Sequence, residues 1–375
     1  MTPLRSTIAC NLDANILLAA LPLFEAEQVQ AIEWSFDALF KVKEVPPWFT
    51  ALLSTYSKEK RLVGHGVFFS LFSGKWSAVQ QEWLDQLQQL SRKYHFDHIT
   101  EHFGFMTGAN FHQGAPISVP FNAQTLALGQ DRLKRIQNAC EVPVGLENLA
   151  FAYSLQEVEQ HGHFLRQLIE PVNGFIILDL HNLYCQIHNF EVDFNTILPL
   201  YPLERVREIH ISGGSWEDSA LRPGKKIRRD THDDAVPETV FELLKKTIPL
   251  CPNLKYVVLE QIGTGLRTDE SRLHFQKDFL RMHEIVQAAG AATSPANDFL
   301  PGGPIELGAP VEFAELHEQQ LALSAILENA SDYQAARRLL QSSSLADTDW
   351  HIERWDPAMV ETVVHIAQKW KHGFA

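Results

Sequence analysis

The chain has 375 residues, 45% of them hydrophobic and 21% charged, with 20 glycines and 19 prolines. That length holds one large domain plus a small one and that composition buries a core, so a minimal stapled module and extended disorder are both excluded. The formal net charge of −14 repels phosphate backbones and anionic headgroups, which removes nucleic acid from the first rank of partners.

Cys10, Cys140, Cys185 and Cys251 are widely spaced without a CxxC, the usage of free thiols in a reducing compartment. Near the N-terminus Asn11, Asp13 and Asn15 interrupt the apolar residues before a signal or membrane-spanning stretch can form. A cytoplasmic enzyme without a membrane partner is the expectation.

From residue 5 to 290, short apolar or β-branched runs alternate with longer amphipathic stretches, the pattern of parallel strands joined by helical crossovers. Strands are predicted over 7–12, 31–36, 62–69, 98–102, 144–147, 174–179, 206–211 and 256–260. Helices are predicted over 77–94, 123–140, 154–169, 237–247 and 269–289, with a weaker one within 47–58. These units predict an α/β fold, a (β/α)8 TIM barrel over 1–292 with its active site at the C-terminal ends of the strands; a doubly wound open sheet is the alternative. Residues 293–310, TSPANDFLPGGPIELGAP, read as a Pro/Gly-rich linker. Beyond it, 311–375 carries helical patterns at 312–329, 332–341 and 357–370, with Trp350, Trp355 and Trp370 as apolar anchors, and reads as a small α-helical extension.

A ligand or acid/base side chain ends most of the apolar runs: His65 in GHGVFF, Glu101 and His102 in ITEHF, Glu147 and Asn148 in VGLEN. Asp179, His181 and Asn182 follow in FIILDLHN, His210 in REIHISGG and Glu260 in YVVLEQ. Asp230 and His232 in RRDTHDD are two apart, which places both on one side of an extended backbone, within reach of the same mouth. Taken singly, each is an ordinary hydrogen-bonded side chain. Taken together, Glu147, Asp179, His210 and Glu260 put carboxylates and an imidazole at one height on four strands, where only protons, bases or cations neutralise them. A His/Asp/Glu set nearly free of thiolate suits iron, manganese or zinc, and its size allows more than one ion.

Arg222, Lys225, Lys226, Arg228 and Arg229 form a basic segment in an acidic chain. It reads either as a solvated loop or as a local field that draws an acidic substrate or peptide to the mouth. No GxSxG elbow, phosphate-cradling GxxxxGK[ST] or strand-following GxGxxG occurs, so hydrolase triads and dinucleotide binding lose ground.

The ordered series GHGVFFSL, TEHFGF, VGLENLAFAY, LDLHNLYC, REIHISGG, DTHDDAV and VVLEQ resembles the multinuclear non-heme iron-dependent oxidative enzymes, the family of the methanobactin biosynthesis oxidase, over about 5–290. The resemblance implies a xylose-isomerase-like barrel holding two or three irons, mixed Fe(II)/Fe(III), that uses dioxygen to modify cysteine or another residue of a ribosomally made precursor peptide. Carried over by position, His65, His102, Glu147, Asp179, His210, Asp230, His232 and Glu260 would be iron ligands. Of these Glu147, Asp179, His210, Asp230, His232 and Glu260 form the catalytic set, with Glu147 and Glu260 as bridging candidates. Asn148, His181 and Asn182 are additional or supporting ligand candidates. His181 stands where the family's more usual LDVNN version implies Asn, Gly214 stands where some members have a polar or His residue, and EWSFDALF matches the family's acidic motif only loosely. Family members often need a partner protein that binds the precursor's leader, so 311–375 is expected to be a built-in peptide-recruiting domain or a helical cap. The alternatives are a divalent-metal sugar isomerase or epimerase, and a non-catalytic binding protein on the same barrel.

Overall fold

The computed structural model describes residues 4–108, 110, 113–290 and 297–373. Eight parallel strands close into a barrel: β1 (Arg5–Ala9), β2 (Ala31–Trp34), β3 (Leu62–Gly66), β4 (Phe96–His102), β5 (Val144–Glu147), β6 (Phe175–Asp179), β7 (Val206–Ser212) and β8 (Tyr256–Glu260). The order β1-β8-β7-β6-β5-β4-β3-β2 runs once around the ring, and Thr7 pairs with both Ala31 and Val258 to close it. The predicted TIM barrel is the observed fold, and the open sheet is excluded by that closure.

Helices α1 (Ala14–Glu25), α2 (Pro47–Lys58), α3 (Ala78–Lys93), α4 (Ala123–Cys140), α5 (Leu155–Ile169), α6 (Leu180–Phe190), α7 (Glu238–Thr247) and α8 (Asp269–Ala289) lie outside the ring. Their starts follow local chemistry. Ser77 and Asn122 cap α3 and α4 with full capping boxes, and Asp13 caps α1 through Asn15 and Ile16 N–H. On α3 the buried Gln80, Trp83, Leu84 and Leu87 recur at helical spacing and face the barrel.

Three strands end earlier than predicted, each for a local reason. β1 stops at Ala9 because the chain turns at once into the Asp13 cap. β2 stops at Trp34 because Phe36–Leu39 winds into a 3-10 turn. β3 stops at Gly66 because Val67 and Phe68 donate their N–H groups to Asp37 Oδ2, at 2.9 and 2.8 Å, instead of to a ladder. The unpredicted α6 starts directly after β6, with Asp179 Oδ1 accepting from Asn182 N at 2.5 Å.

The first residues of the predicted linker, 293–296, lie outside the described residues. From Asn297 to Val311 the chain has no regular structure but is pinned along its length. Arg207 donates to Asp298 O, Phe299 packs on Phe175 at the N-terminal end of the barrel, and Asn138, Arg135 and Arg132 of α4 donate in turn to Ile305 O, Gly308 O and Val311 O. It is a strap climbing α4 from the bottom of the barrel to its mouth. There α9 (Ala314–Asn329), α10 (Tyr333–Gln341) and α11 (Pro357–Trp370) join the barrel's own hydrophobic cluster through Leu323, Trp350, Trp355 and Val363. Trp355 stacks on Tyr153 of the β5–α5 loop, 3.8 Å between centroids and 13° between planes. Among the described residues no helix is long and apolar enough to cross a membrane.

Candidate metal centre

Side chains alternate across a strand, so residues two apart on a barrel strand share the interior. His65 (β3), His102 (β4) and Glu147 (β5) meet there at the C-terminal rim. His65 Nε2 and His102 Nε2 are 3.0 Å apart, and Glu147 Oε2 is 3.3 Å from the first and 3.1 Å from the second. Two imidazole nitrogens facing one another share at most one proton, and Glu147 Oε2 makes no aligned hydrogen bond with either. Three atoms at the corners of such a triangle match one face of an octahedron with ligand bonds of about 2.1 Å, whose edges are about 3.0 Å.

A second group shares Glu147 and adds Asp179 (β6), His210 (β7) and Glu260 (β8). His210 Nδ1 lies 3.2 Å from Glu260 Oε2 and 4.0 Å from Glu147 Oε1. Asp179 Oδ2 is buried and has no hydrogen-bond partner among the described residues. Glu260 leads on to the loop after β7, where His232 Nδ1 is 3.3 Å from Glu260 Oε1 and its Nε2 is 2.8 Å from Asp230 Oδ1. The eight residues singled out as ligands therefore form one connected set. Glu147 joins its first two parts and Glu260 the last two.

The electrostatics have one theme, too much negative charge for the burial. Burial raises every carboxyl here, and Asp179 goes well above the ordinary range because Asp230 and Glu147 also stand beside it. Burial would raise Glu147 too, but His102 and His65 override it and bring it to about 2. Burial would lower His65, yet the close Glu147 carboxylate and the charge of Glu33 bring it to about 10. A field that holds protons this firmly also favours cations. The orphaned Asp179 Oδ2 and Glu147 Oε2, with an oxygen and nitrogen donor set free of thiolate, fit hard or borderline divalent metals.

The other three candidates support the set. Asn148 Nδ2 donates to Asp179 O at 3.1 Å and its Oδ1 accepts from Asp179 N at 2.6 Å, so the whole amide braces β6 against β5. Asn182 Nδ2 donates to Glu147 Oε1 and Asn148 O, at 3.2 and 2.8 Å, and its buried Oδ1 has no partner among the described residues. His181 has both nitrogens engaged, Nε2 by Arg228 Nε and Nδ1 by Asp230 Oδ1, each at 3.0 Å. A guanidinium only donates, so Nε2 accepts and Nδ1–H points at Asp230. His181 therefore stands between Arg228 and Asp230, with both ring nitrogens engaged.

The basic segment is dispersed. Arg228 is buried under Trp216 and Tyr184, Arg229 pairs with Glu217, Arg222 pairs with Asp356 at 3.3 Å, and Lys225 Nζ donates to Asn189 O at 3.1 Å. Arg228 Nε donates to His181 Nε2, so Arg228 stands one side chain away from Asp230.

Sequence reading missed a deeper layer. Glu33 Oε2 and Glu208 Oε1 lie 3.1 and 3.4 Å from His210 Nε2, and Glu208 Oε2 is 2.5 Å from His98 Nε2. His98 Nδ1 is 3.1 Å from Asp97 Oδ2, which also pairs with Arg207 at 2.8 Å, while Asp97 Oδ1 pairs with Lys255. The signal was periodicity: Glu208 and His98 stand two and four residues before His210 and His102, on the same inward-facing row of their strands.

The family model described as RiPP precursor modification enzyme MbnB/TglH/ChrH matches residues 27–263. A UPF0276 protein of Caulobacter vibrioides is 25% identical over 181 residues, 48% of this chain, which spans 61% of that relative's length. A UPF0276 protein of Shewanella oneidensis is 27% identical over 210 residues, 54% of this chain and 72% of the relative. Among solved structures the chain is similar to an L-ribulose 3-epimerase, with TM-score 0.48 and 13% identity over 76% of this chain and 95% of that one. A D-psicose 3-epimerase gives TM-score 0.45 and 12% identity over 74% and 97%.

Proposed function

This chain belongs to the RiPP precursor modification enzyme family MbnB/TglH/ChrH, and we propose that it is a dioxygen-dependent multi-iron oxidase that modifies cysteine, or another residue, in a ribosomally made precursor peptide. The observation that carries the reading is the unbroken chain of ligand groups from His65 to Asp230, bridged by Glu147 and Glu260. His65, His102 and Glu147 would hold one iron, and Glu147, Asp179, His210 and Glu260 a second. Asp230 and His232 would serve a third. Bound iron would supply dioxygen reduction and an anchoring site for a substrate thiolate.

The protein's own part is placement and exclusion. His65 and His210 are buried, whereas the side chains of His102, Asp230, Glu260 and His232 are 26%, 23%, 17% and 15% exposed. Substrate therefore approaches over that edge, while the inner ligands stay dry and fixed. A groove of ≈650 Å³ beside the mouth, lined in part by Phe69, Trp76, Trp83, Met106, His317 and Leu321, would take an extended precursor segment between the barrel and α9. That gives the extension a recruiting role, alone or with a leader-binding partner protein. Lys226 and Arg222 remain candidates for drawing in an acidic peptide.

Elemental analysis with Mössbauer spectroscopy on protein purified without air from iron-supplied cells tests the reading. Two or more irons per chain, some of them oxidised by dioxygen, is the expected result. A single zinc or manganese, with ketose turnover in the absence of dioxygen, would replace the reading with the sugar isomerase.

A further inference from the structure

His181 and Gly214 lie against one another. A side-chain carbon at 214 would sit 2.8 Å from His181 Cε1 and closer still to Arg229 O, which is backbone and cannot yield. Glycine here leaves the room in which the imidazole stands between Arg228 and Asp230.

Arg228 comes from a two-stranded hairpin, Trp216–Asp218 paired with Lys226–Arg228, which lies beyond the barrel wall. The hairpin is seated on α11. Ile227 is buried against Ala358 and Met359, Glu361 accepts from Ser219 Oγ at 2.8 Å and from Ala220 N at 3.1 Å, and His365 pairs with Glu217. On its other side the hairpin is tied to α6, with Asn189 Oδ1 accepting from Arg228 N at 2.8 Å. A continuous run of contacts thus leads from α11 through the hairpin, Arg228 and His181 to Asp230.

We propose that the C-terminal helix α11 is a working part of the metal centre: it seats the hairpin from which Arg228 fixes His181, and His181 fixes Asp230 toward the outermost metal position. This rests on the multi-metal reading of the centre. Arg228 and His181 are positioning residues, and α11 gives the extension a role in the centre besides any part in recruiting peptide. Partners that orient a ligand typically change metal affinity by about 10- to 100-fold when removed.

The test is anaerobic titration of full-length apoprotein with Co²⁺, counting equivalents and following the visible absorption of each, for the parent, Arg228→Leu, the pair Glu361→Ala with His365→Ala, and all three changes together. In Arg228→Leu the weakest-held equivalent is expected to loosen about 10- to 100-fold while the others hold, and the α11 pair to loosen the same equivalent by a smaller factor. The combined variant should match Arg228→Leu alone, because both act through one link. An unchanged titration in Arg228→Leu overturns the proposal. Loosening in Arg228→Leu with none in the α11 pair overturns the part played by the helix. A parent that takes up no more than one equivalent overturns the multi-metal reading, and this proposal with it, whereas a parent that takes up several with variants that do the same overturns only the coupling.

Discussion

His210 shows how one side chain is held from two sides. Its Nδ1 faces Glu260 and Glu147, and its Nε2 faces Glu33 and Glu208. With Nε2–H directed at two carboxylates, Nδ1 is left as the lone-pair nitrogen toward the centre. Glu33→Gln keeps an acceptor but removes a charge, so it is expected to weaken metal binding about tenfold without unfolding the chain, as read by competition with a chelator. A separate residue supplies a pH signature away from the centre. The partly buried Glu157, which accepts from Tyr153 N at 3.1 Å, is pushed up to about 7 by burial. The unfolded chain loses this proton near its ordinary value, about 4.3, so stability is full below it, falls as the pH rises and levels off above about 7. Glu157→Gln is expected to match the parent at pH 4 and to exceed it by about 1–2 kcal/mol at pH 8 in denaturant unfolding.

At the scale of elements, close approach decides what the loops and helices can carry. Gly162 lies in α5 where the backbone of Leu200 and Tyr201 crosses, and a Cβ there would meet Leu200 C at 2.7 Å and Tyr201 Cα at 2.8 Å. Alanine gains about 1 kcal/mol of helix propensity, but displacing backbone costs about 1–3 kcal/mol. Gly162→Ala is therefore expected to destabilise, and a rise in the denaturation midpoint would refute the contact. The ligand-bearing strand ends were legible at this scale because apolar runs of four to six residues stopped on polar side chains of one chemistry. α6 was not, and its start shows only in the structure, where Asp179 Oδ1 accepts from Asn182 N.

At the scale of the molecule, the last three helices and the strap bind the barrel from its bottom to its mouth. Phe299 is fully buried against Phe175 at one end, and Trp355 is stacked on Tyr153 at the other. Removing a buried Trp costs about 3–5 kcal/mol, so Trp355→Ala should lower the stability of the whole chain in one transition, followed by tryptophan fluorescence and circular dichroism. Two separated transitions would show instead that the extension and the barrel unfold independently.

The sequence by itself determined the barrel, the helical segments after it and the eight ligand candidates, because periodicity and the chemistry of strand ends are local properties written along the chain. Only the tertiary structure decided that Glu33, Glu208 and His98 stand behind His210, that both nitrogens of His181 are engaged, and that α11 seats the hairpin carrying Arg228. Those facts join residues distant along the chain, from 47 positions for His181 and Arg228 to 177 for Glu33 and His210. Closure of the ring and docking of the extension bring them together, and no period along the chain records which distant side chains will share a nitrogen.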